Sequence, residues 1–304
     1  MESLGTRQVP KHLQIESING ACTARCTMCT IESWTRKPNR MTEQAFELLL
    51  SKFVPYKDRI EFLTIHGCGE PLLDYGLPQK IATAKLLGFR GTGFATNCTE
   101  LRAEMARKLI DAGLDTIICS IDGIKKETHE AIRRRTRFED VVENVRRFID
   151  IRDQKHGRTR VLIRFIRQQI NYDEWPVFQE QWQEYLDPSK GDDIIRFDAH
   201  NWGNKVENYE HISCDATCVE PLICSDLFER LYIYSDGRVA LCCADDNGFF
   251  DLGNAFESDP IEIYNNKTFT DYRSYMVNGR IAELPVCKTC TIVRSRLTKT
   301  KAAS

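Results

Sequence analysis

Between residues 12 and 199, short apolar runs alternate with segments whose apolar residues recur at helical spacing. Short apolar runs predict six strands, at 12–17, 60–67, 91–97, 115–122, 159–166 and 193–199. Apolar positions with helical spacing predict helices between them, at 42–53, 77–88, 99–113, 138–154 and 172–185. This alternation indicates parallel βα units, in an α/β barrel or an open α/β sheet, and in both folds the ligand lies at the carboxyl ends of the strands.

The ends of these helices carry recognisable signals. Thr42 and Thr99 stand where an N-cap is expected, and Gly88 and Gly113 stand where a helix should stop. These residues fix the predicted helix bounds more firmly than the apolar period alone.

The pattern changes after about residue 200. A polar stretch is followed by two alternating runs joined by Ser235-Asp236-Gly237, which predicts a β-hairpin. Residues 260–279 predict one helix or two short ones. We therefore expect an N-terminal extension (1–11), a core domain (12–205) and a smaller α+β domain (206–304).

Composition narrows the classes of partner. The 304 residues contain 42 Lys and Arg against 44 Asp and Glu, so nothing favours nucleic acid or a membrane surface. The N-terminus has no apolar signal-like segment, which favours a cytoplasmic protein. Thirteen cysteines are unusual for such a chain, and in a reducing compartment clustered cysteines are typical of metal binding or redox chemistry.

Three of these cysteines, Cys22, Cys26 and Cys29, form one loop directly after the first strand. A structural zinc site normally has four Cys or His ligands, and no fourth stands nearby. Three thiolates fit a 4Fe–4S cluster that keeps one iron open to a small molecule. A zinc knuckle completed by a distant residue is the alternative.

This CxxxCxxC loop resembles the signature of the radical S-adenosylmethionine (SAM) superfamily. Three later stretches are similar to further superfamily motifs: Gly67-Cys68-Gly69-Glu70-Pro71 to a GGEP-like turn, Thr96-Asn97-Cys98 to a "TNG" turn, and Ser120-Ile121-Asp122-Gly123 to a strand-four ending. In two of them a cysteine stands where glycine is common. The resemblance implies a partial (β/α)6 barrel, SAM bound to the open iron, and hydrogen abstraction by a 5′-deoxyadenosyl radical.

The resemblance also assigns positions to SAM. It implies that Glu70 contacts the methionyl amino group, that Arg164 reaches the carboxylate and that Met28 lies near the adenine. The full expected set is Met28, Gly67, Cys68, Gly69, Glu70, Asn97, Ser120, Asp122 and Arg164.

A second cysteine set follows the domain boundary. Cys224 and Cys242 flank the hairpin and Cys287-x2-Cys290 closes the group, a spacing that by itself favours structural zinc. The pattern resembles the SPASM/twitch extension of radical SAM enzymes and is similar in spacing to a twitch dehydrogenase of aminocyclitol biosynthesis. The resemblance implies an auxiliary 4Fe–4S cluster, hence two clusters in all.

For the reaction we expect oxidation of a carbinol carbon to a ketone in a small polar substrate such as an aminosugar, an aminocyclitol or another carbohydrate. A radical epimerase with a thiol hydrogen donor, and ribosomal-peptide maturation, are the alternatives. The expected catalytic candidates are Cys243, Cys214 and Cys218 as thiols, and Glu16, Arg196, Asp198 and His200 as polar groups at strand ends. A low-potential electron donor such as flavodoxin or ferredoxin is the implied protein partner.

Overall fold

A computed structural model describes residues 7–203, 205–207, 209–212 and 223–291. One eight-stranded sheet organises the molecule. Its strands are β1 (His12–Ile15), β2 (Phe62–Thr64), β3 (Thr92–Thr96), β4 (Thr116–Ser120), β5 (Arg160–Arg167), β6 (Asp193–Asp198), β7 (Arg230–Ile233) and β8 (Val239–Ala240). They lie in the order β6-β5-β4-β3-β2-β1-β7-β8.

The first six strands pair in parallel with their neighbours, which confirms the predicted βα units. Within β1, Leu13 and Ile15 are fully buried in the hydrophobic core, and this alternation turns Gln14 and Glu16 to the opposite, inner face. We call the space enclosed by these inner faces the lumen. The result is a partial barrel whose helices cover the outside.

The described helices are α1 (Glu43–Ser51), α2 (Leu77–Leu86), α3 (Ala103–Asp111), α4 (Lys126–Ile132), α5 (Phe138–Gln154), α6 (Trp175–Gln183), α7 (Tyr209–Ile212), α8 (Asp226–Glu229), α9 (Pro260–Tyr264) and α10 (Lys267–Val277). Thr42 caps α1 by accepting from the Ala45 amide, as predicted. The prediction of Thr99 as a cap was wrong, because α3 begins four residues later and the Thr99 amide donates to Asn97 Oδ1. The sequence analysis missed α4.

The smaller domain continues the same sheet. Strand β7 pairs in parallel with β1, and β8 returns antiparallel to β7, so the predicted hairpin is confirmed. Gly237 closes its turn at φ 84°, a conformation that favours glycine. The 260–279 segment is two helices, because the Asn266 side chain accepts from the Phe269 amide and starts α10 anew.

Within the described residues, no helix combines the length and the apolar character needed to cross a membrane.

Candidate active site: two cysteine-lined centres at one barrel

The three-cysteine loop is held by a short antiparallel strand pair. Residues 25–26 pair with residues 133–134, which follow α4 directly. Burial raises the pKa of Cys22 to about 11 and that of Cys29 to about 12, and the neighbouring cysteine sulfurs add to the shift. Free thiolates are therefore unfavourable here, whereas coordination to iron would remove the proton and neutralise the charge. The loop fits a cluster that all three residues would hold.

Hydrogen-bond donors reach two of these sulfurs. The Ala24 amide lies 3.4 Å and Asn97 Nδ2 lies 3.6 Å from Cys22 Sγ, while Arg133 Nη1 lies 3.6 Å from Cys26 Sγ. Donors and cations at cluster sulfurs stabilise the thiolate and tune the cluster. Sequence analysis missed Arg133, since no motif marks it and only the fold brings it to the loop.

The Gly67–Pro71 turn is bound directly to the segment that leads into the cysteine loop. The Glu70 amide donates to Ala21 O at 2.9 Å, and the Gly20 amide donates to Cys68 O at 3.1 Å. A Cβ on Gly69 would come within 2.6 Å of Ile18 O, and one on Gly67 within 2.7 Å of the Glu16 side chain. Both glycines are therefore required by close packing of the two segments.

The Glu70 carboxylate accepts hydrogen bonds from other groups of the protein. Its Oε1 accepts from Thr96 Oγ1 at 2.6 Å and from the Leu72 amide at 3.1 Å, and its Oε2 accepts from the Asn97 amide at 2.9 Å. Burial raises its pKa. The carboxylate thus joins the Gly67–Pro71 turn to the Thr96–Cys98 turn, a role that spacing alone did not indicate.

Asp122 is likewise committed to the protein. It forms an ion pair with Arg133 at 2.7 Å and accepts from the Ile166 amide at 2.6 Å. Arg164 faces the lumen and donates to Ser120 Oγ at 2.7 Å; burial, with the nearby Arg133 cation, lowers its pKa to about 10. Asp122 therefore acts as a counter-ion beside the cluster loop, whereas Arg164 keeps charge available in the lumen.

The two cysteines that replace common glycines have different surroundings. Cys98 is fully buried and adopts φ 63°, the left-handed region that favours glycine. Cys68 Sγ lies 3.8 Å from Tyr232 Oη and 3.8 Å from Asp246 O, so it packs against the smaller domain.

Glu16 lies at the centre of a fully buried interdomain network. Both of its oxygens bind Arg36, at 2.9 and 2.7 Å, and they also accept from the Cys68 and Ser235 amides. The Arg36 guanidinium stacks 3.9 Å from the Tyr234 ring centre. This geometry gives Glu16 a structural role in place of the expected contact with substrate.

The structure does not gather the other polar strand-end residues into one site. Arg196 lies 5.0 Å from the ring centre of Trp175, the first residue of α6, on the outer face of the sheet. Asp198 pairs with Arg167 at 2.6 Å. His200 follows β6 and is partly buried. Alternation along β6 explains the outcome, because Arg196 and Asp198 share the face of Ile194, which packs against the core.

The lumen instead presents polar residues that the sequence analysis did not select. His12 Nε2 contacts Thr64 Oγ1 at 2.7 Å, and Gln14 Nε2 donates to His66 O at 3.1 Å. His66 Nδ1 is buried without a hydrogen-bond partner among the described residues. Burial, with the nearby Arg164 cation, lowers the pKa of His66 to about 3, so its imidazole is neutral. The period-two alternation of β2 was the signal that could have identified it.

The second centre is a cavity whose wall contains Cys224, Cys242, Cys287 and Cys290. Apolar side chains, including Leu227, Leu241, Met276 and Val286, complete the wall. Among the described residues, no three His, Cys, Asp or Glu side chains form a single-ion site. A cavity lined by four thiols and by apolar side chains fits a cluster that these residues would hold.

A fifth cysteine lines this cavity. Cys243 Sγ donates to Asp226 Oδ2 at 3.7 Å, and burial raises the pKa of Cys243. Cys214 and Cys218, the other two expected thiols, lie outside the described residues.

Comparison with known proteins agrees with one cysteine centre in each of two domains. Residues 17–162 match the model of the radical SAM superfamily, and residues 224–291 match the SPASM iron–sulfur cluster-binding domain. Among curated proteins, the chain is 28% identical over 185 residues to a GTP 3′,8-cyclase of Chlorobaculum tepidum, covering 60% of this chain and 54% of that one. A probable GTP 3′,8-cyclase of Saccharolobus solfataricus is 28% identical over 233 residues, or 73% of this chain and 71% of that one. The chain thus spans about half the length of the first of these relatives.

Solved structures share the fold. BtrN in complex with AdoMet and 2-DOIA superposes with a TM-score of 0.64 at 16% identity, over 94% of each chain. SuiB of Streptococcus suis, bound to its precursor peptide SuiA, gives a TM-score of 0.70 at 14% identity, over 95% of this chain and 71% of that one. With SAM and two 4Fe–4S clusters as its cofactors, the chain belongs to the radical SAM enzymes and consists of a radical SAM domain followed by a SPASM iron–sulfur domain.

Proposed function

We propose that the protein oxidises a carbinol carbon of a small polar substrate, of the aminosugar or aminocyclitol class, to a ketone. The bound cofactors supply hydrogen-atom abstraction at the first centre and a one-electron acceptor at the second. The observation that carries the proposal is the second centre, where four cysteines line a cavity in a domain continuous with the barrel sheet. Loss of two hydrogens as a hydrogen atom and a proton leaves one electron, and a resident acceptor accounts for it.

The lumen suits a hydroxylated substrate. Arg164, midway along β5, and the neutral His66, just after β2, offer a donor and an acceptor in the lumen. A hydroxyl hydrogen-bonded to His66 Nδ1 would satisfy a buried atom that lacks a partner in the described structure. Phe197, on the inner face of β6, adds an apolar side chain that is 39% exposed.

The BtrN likeness is compatible with the proposal, since BtrN was solved with AdoMet and 2-DOIA and each chain is covered to 94%. Coverage does not separate the proposal from peptide maturation, because anSMEcpe, solved with AdoMet and the Cp18Cys peptide, is covered to 90% at a TM-score of 0.63. Peptide maturation therefore stays an alternative, and the proposal rests on the second centre and on the lumen.

The epimerase alternative requires a thiol that can return a hydrogen atom to the substrate. Cys243 points its sulfur to Asp226 beside the second centre. Of the three candidate thiols, only Cys243 lies among the described residues, and its geometry favours oxidation.

The test is an anaerobic assay with a panel of aminocyclitols and aminosugars deuterated at their carbinol carbons. Oxidation transfers deuterium to 5′-deoxyadenosine and gives a ketone in a one-to-one ratio with SAM consumed. Cys243→Ala should retain this activity, and Cys287→Ala/Cys290→Ala should lose ketone formation while still cleaving SAM. Solvent deuterium fixed in an isomer of the substrate, abolished by Cys243→Ala, would overturn the proposal.

A further inference from the structure

One short segment after β6 contacts both cysteine centres. Trp202 Nε1 donates to Met28 O at 2.9 Å, and Met28 stands between Cys26 and Cys29. The adjacent Asn201 donates from Nδ2 to Thr289 O at 2.7 Å, and Thr289 stands between Cys287 and Cys290. Two consecutive residues therefore bind the two ligand loops.

Asn201 is almost completely buried, at 4% exposure, and both its Nδ2 and its Oδ1 form hydrogen bonds. Its Oδ1 accepts from the Thr291 amide at 3.1 Å and from the Gly203 amide at 3.2 Å. Its own amide donates to Thr291 Oγ1 at 2.9 Å. Lys205 adds a contact to Ala244 O at 2.9 Å, two residues beyond Cys242.

The backbone of Trp202 is unusual. It adopts φ 49°, and a bulky side chain in the left-handed region persists only where surrounding contacts fix it. Those contacts are the indole bond to Met28 and the Asn201 bonds on either side of the turn. The geometry therefore resists independent movement of the two loops.

We propose that Asn201 and Trp202 are positioning residues that couple the two cluster sites mechanically. SAM binding at the first centre, where Met28 is expected near the adenine, restrains Met28 O. Trp202 and Asn201 pass this restraint to the segment between Cys287 and Cys290. The second centre is then held most rigidly when SAM is present, whatever substrate the enzyme uses.

The experiment measures hydrogen–deuterium exchange of the anaerobic, fully reconstituted enzyme with and without saturating SAM. In the wild type, SAM should slow amide exchange in residues 284–291. Trp202→Phe keeps an aromatic side chain but removes the indole N–H that binds Met28 O, so it should abolish this SAM-dependent slowing while SAM binding and iron content persist. Asn201→Asp, which keeps the acceptor and removes the donor to Thr289, should do the same.

The controls separate this route from others. Trp34→Phe removes another indole hydrogen bond of the cysteine loop, to Thr30 Oγ1, and should leave the SAM-dependent slowing intact. Asn247→Ala removes a different interdomain contact, to Ser33 O and the Thr35 amide, and should also leave it intact. The proposal is overturned if SAM does not slow exchange at 284–291 in the wild type, if Trp202→Phe retains the effect, or if Asn247→Ala alone removes it.

Discussion

The two cysteine centres are built in opposite ways. At the first, three ligands come from one eight-residue loop, and polar groups from distant parts of the barrel approach the sulfurs, among them Asn97 and Arg133. At the second, the four cysteines come from three separate stretches, and their cavity is lined mainly by apolar side chains. The ligands of the first centre are close in sequence, and polar groups from distant segments contact them. The ligands of the second centre are distant in sequence, and apolar side chains surround them.

The different surroundings of the two centres agree with the cofactors that each would hold. A centre that binds SAM needs charged and polar groups placed around it, and the surroundings of the first loop provide them. The properties of an iron–sulfur cluster depend on the polarity around it, and the apolar side chains around the second cavity lower that polarity.

The largest expected effect is the loss of iron from one centre when its cysteines are replaced. The intact protein should carry about eight irons. Replacing Cys22, Cys26 and Cys29 by Ala should remove about half of them and all SAM cleavage. Replacing Cys287 and Cys290 should remove the other half and spare SAM cleavage. Iron analysis and 5′-deoxyadenosine detection check both. SAM cleavage in the triple variant would contradict the assignment.

The next prediction concerns the charge that supports the first centre. Arg133→Met leaves the Asp122 carboxylate buried without its ion-pair partner, so the free energy of unfolding should fall by about 3–5 kcal/mol. Anaerobic urea denaturation measures the change. The double variant Asp122→Asn/Arg133→Met should recover most of the loss, because Asn can still accept from the Ile166 amide. A double variant no more stable than Arg133→Met would show that the ion pair is not the cause.

Glu70 tests how the SAM-binding turn is held. Glu70→Ala removes the acceptor of three protein donors and should cost about 1–3 kcal/mol of stability. Displacement of the turn should also weaken SAM binding by roughly ten- to a hundred-fold. Glu70→Gln keeps the Thr96 and Leu72 contacts and should have a smaller effect on both quantities. Equal loss of SAM affinity in both variants would instead indicate that the charge itself binds the ammonium group.

The smallest prediction uses the protonation of a buried histidine in the first region, a kind of group that residues 223–291 do not contain. Burial, with the nearby Arg133 cation, lowers the pKa of His129 to about 3, from 6.5. The folded protein thus binds this proton less readily than the unfolded chain, and stability falls as pH drops below about 6.5. Between pH 7 and pH 5 the wild type should lose about 2 kcal/mol more than His129→Asn. Equal slopes of unfolding free energy against pH would rule this out.

The sequence predicts what depends on local pattern. The six barrel strands, the hairpin turn at Gly237 and both cysteine sets follow from alternation, turn residues and spacing. Contacts between remote segments are different, because nothing in the local pattern of Glu16 marks it as the partner of Arg36. Arg196 shows the same limit, since a strand-end position alone does not say which face the side chain takes. Arg133 reaches the cysteine loop only through α4, a helix too short for its apolar period to stand out.

Because β7 of the smaller domain pairs with β1 of the barrel, the two domains are not independent modules. A chain cut between residues 205 and 206, at the boundary predicted from the hydrophobic pattern, would remove β7 and leave the backbone amides and carbonyls along one side of β1 without partners. An exposed edge strand of this kind recruits other chains, so the isolated barrel should self-associate. A SPASM-type domain exchanged between relatives would therefore have to include a β7 that can pair with β1, since the two domains share one sheet.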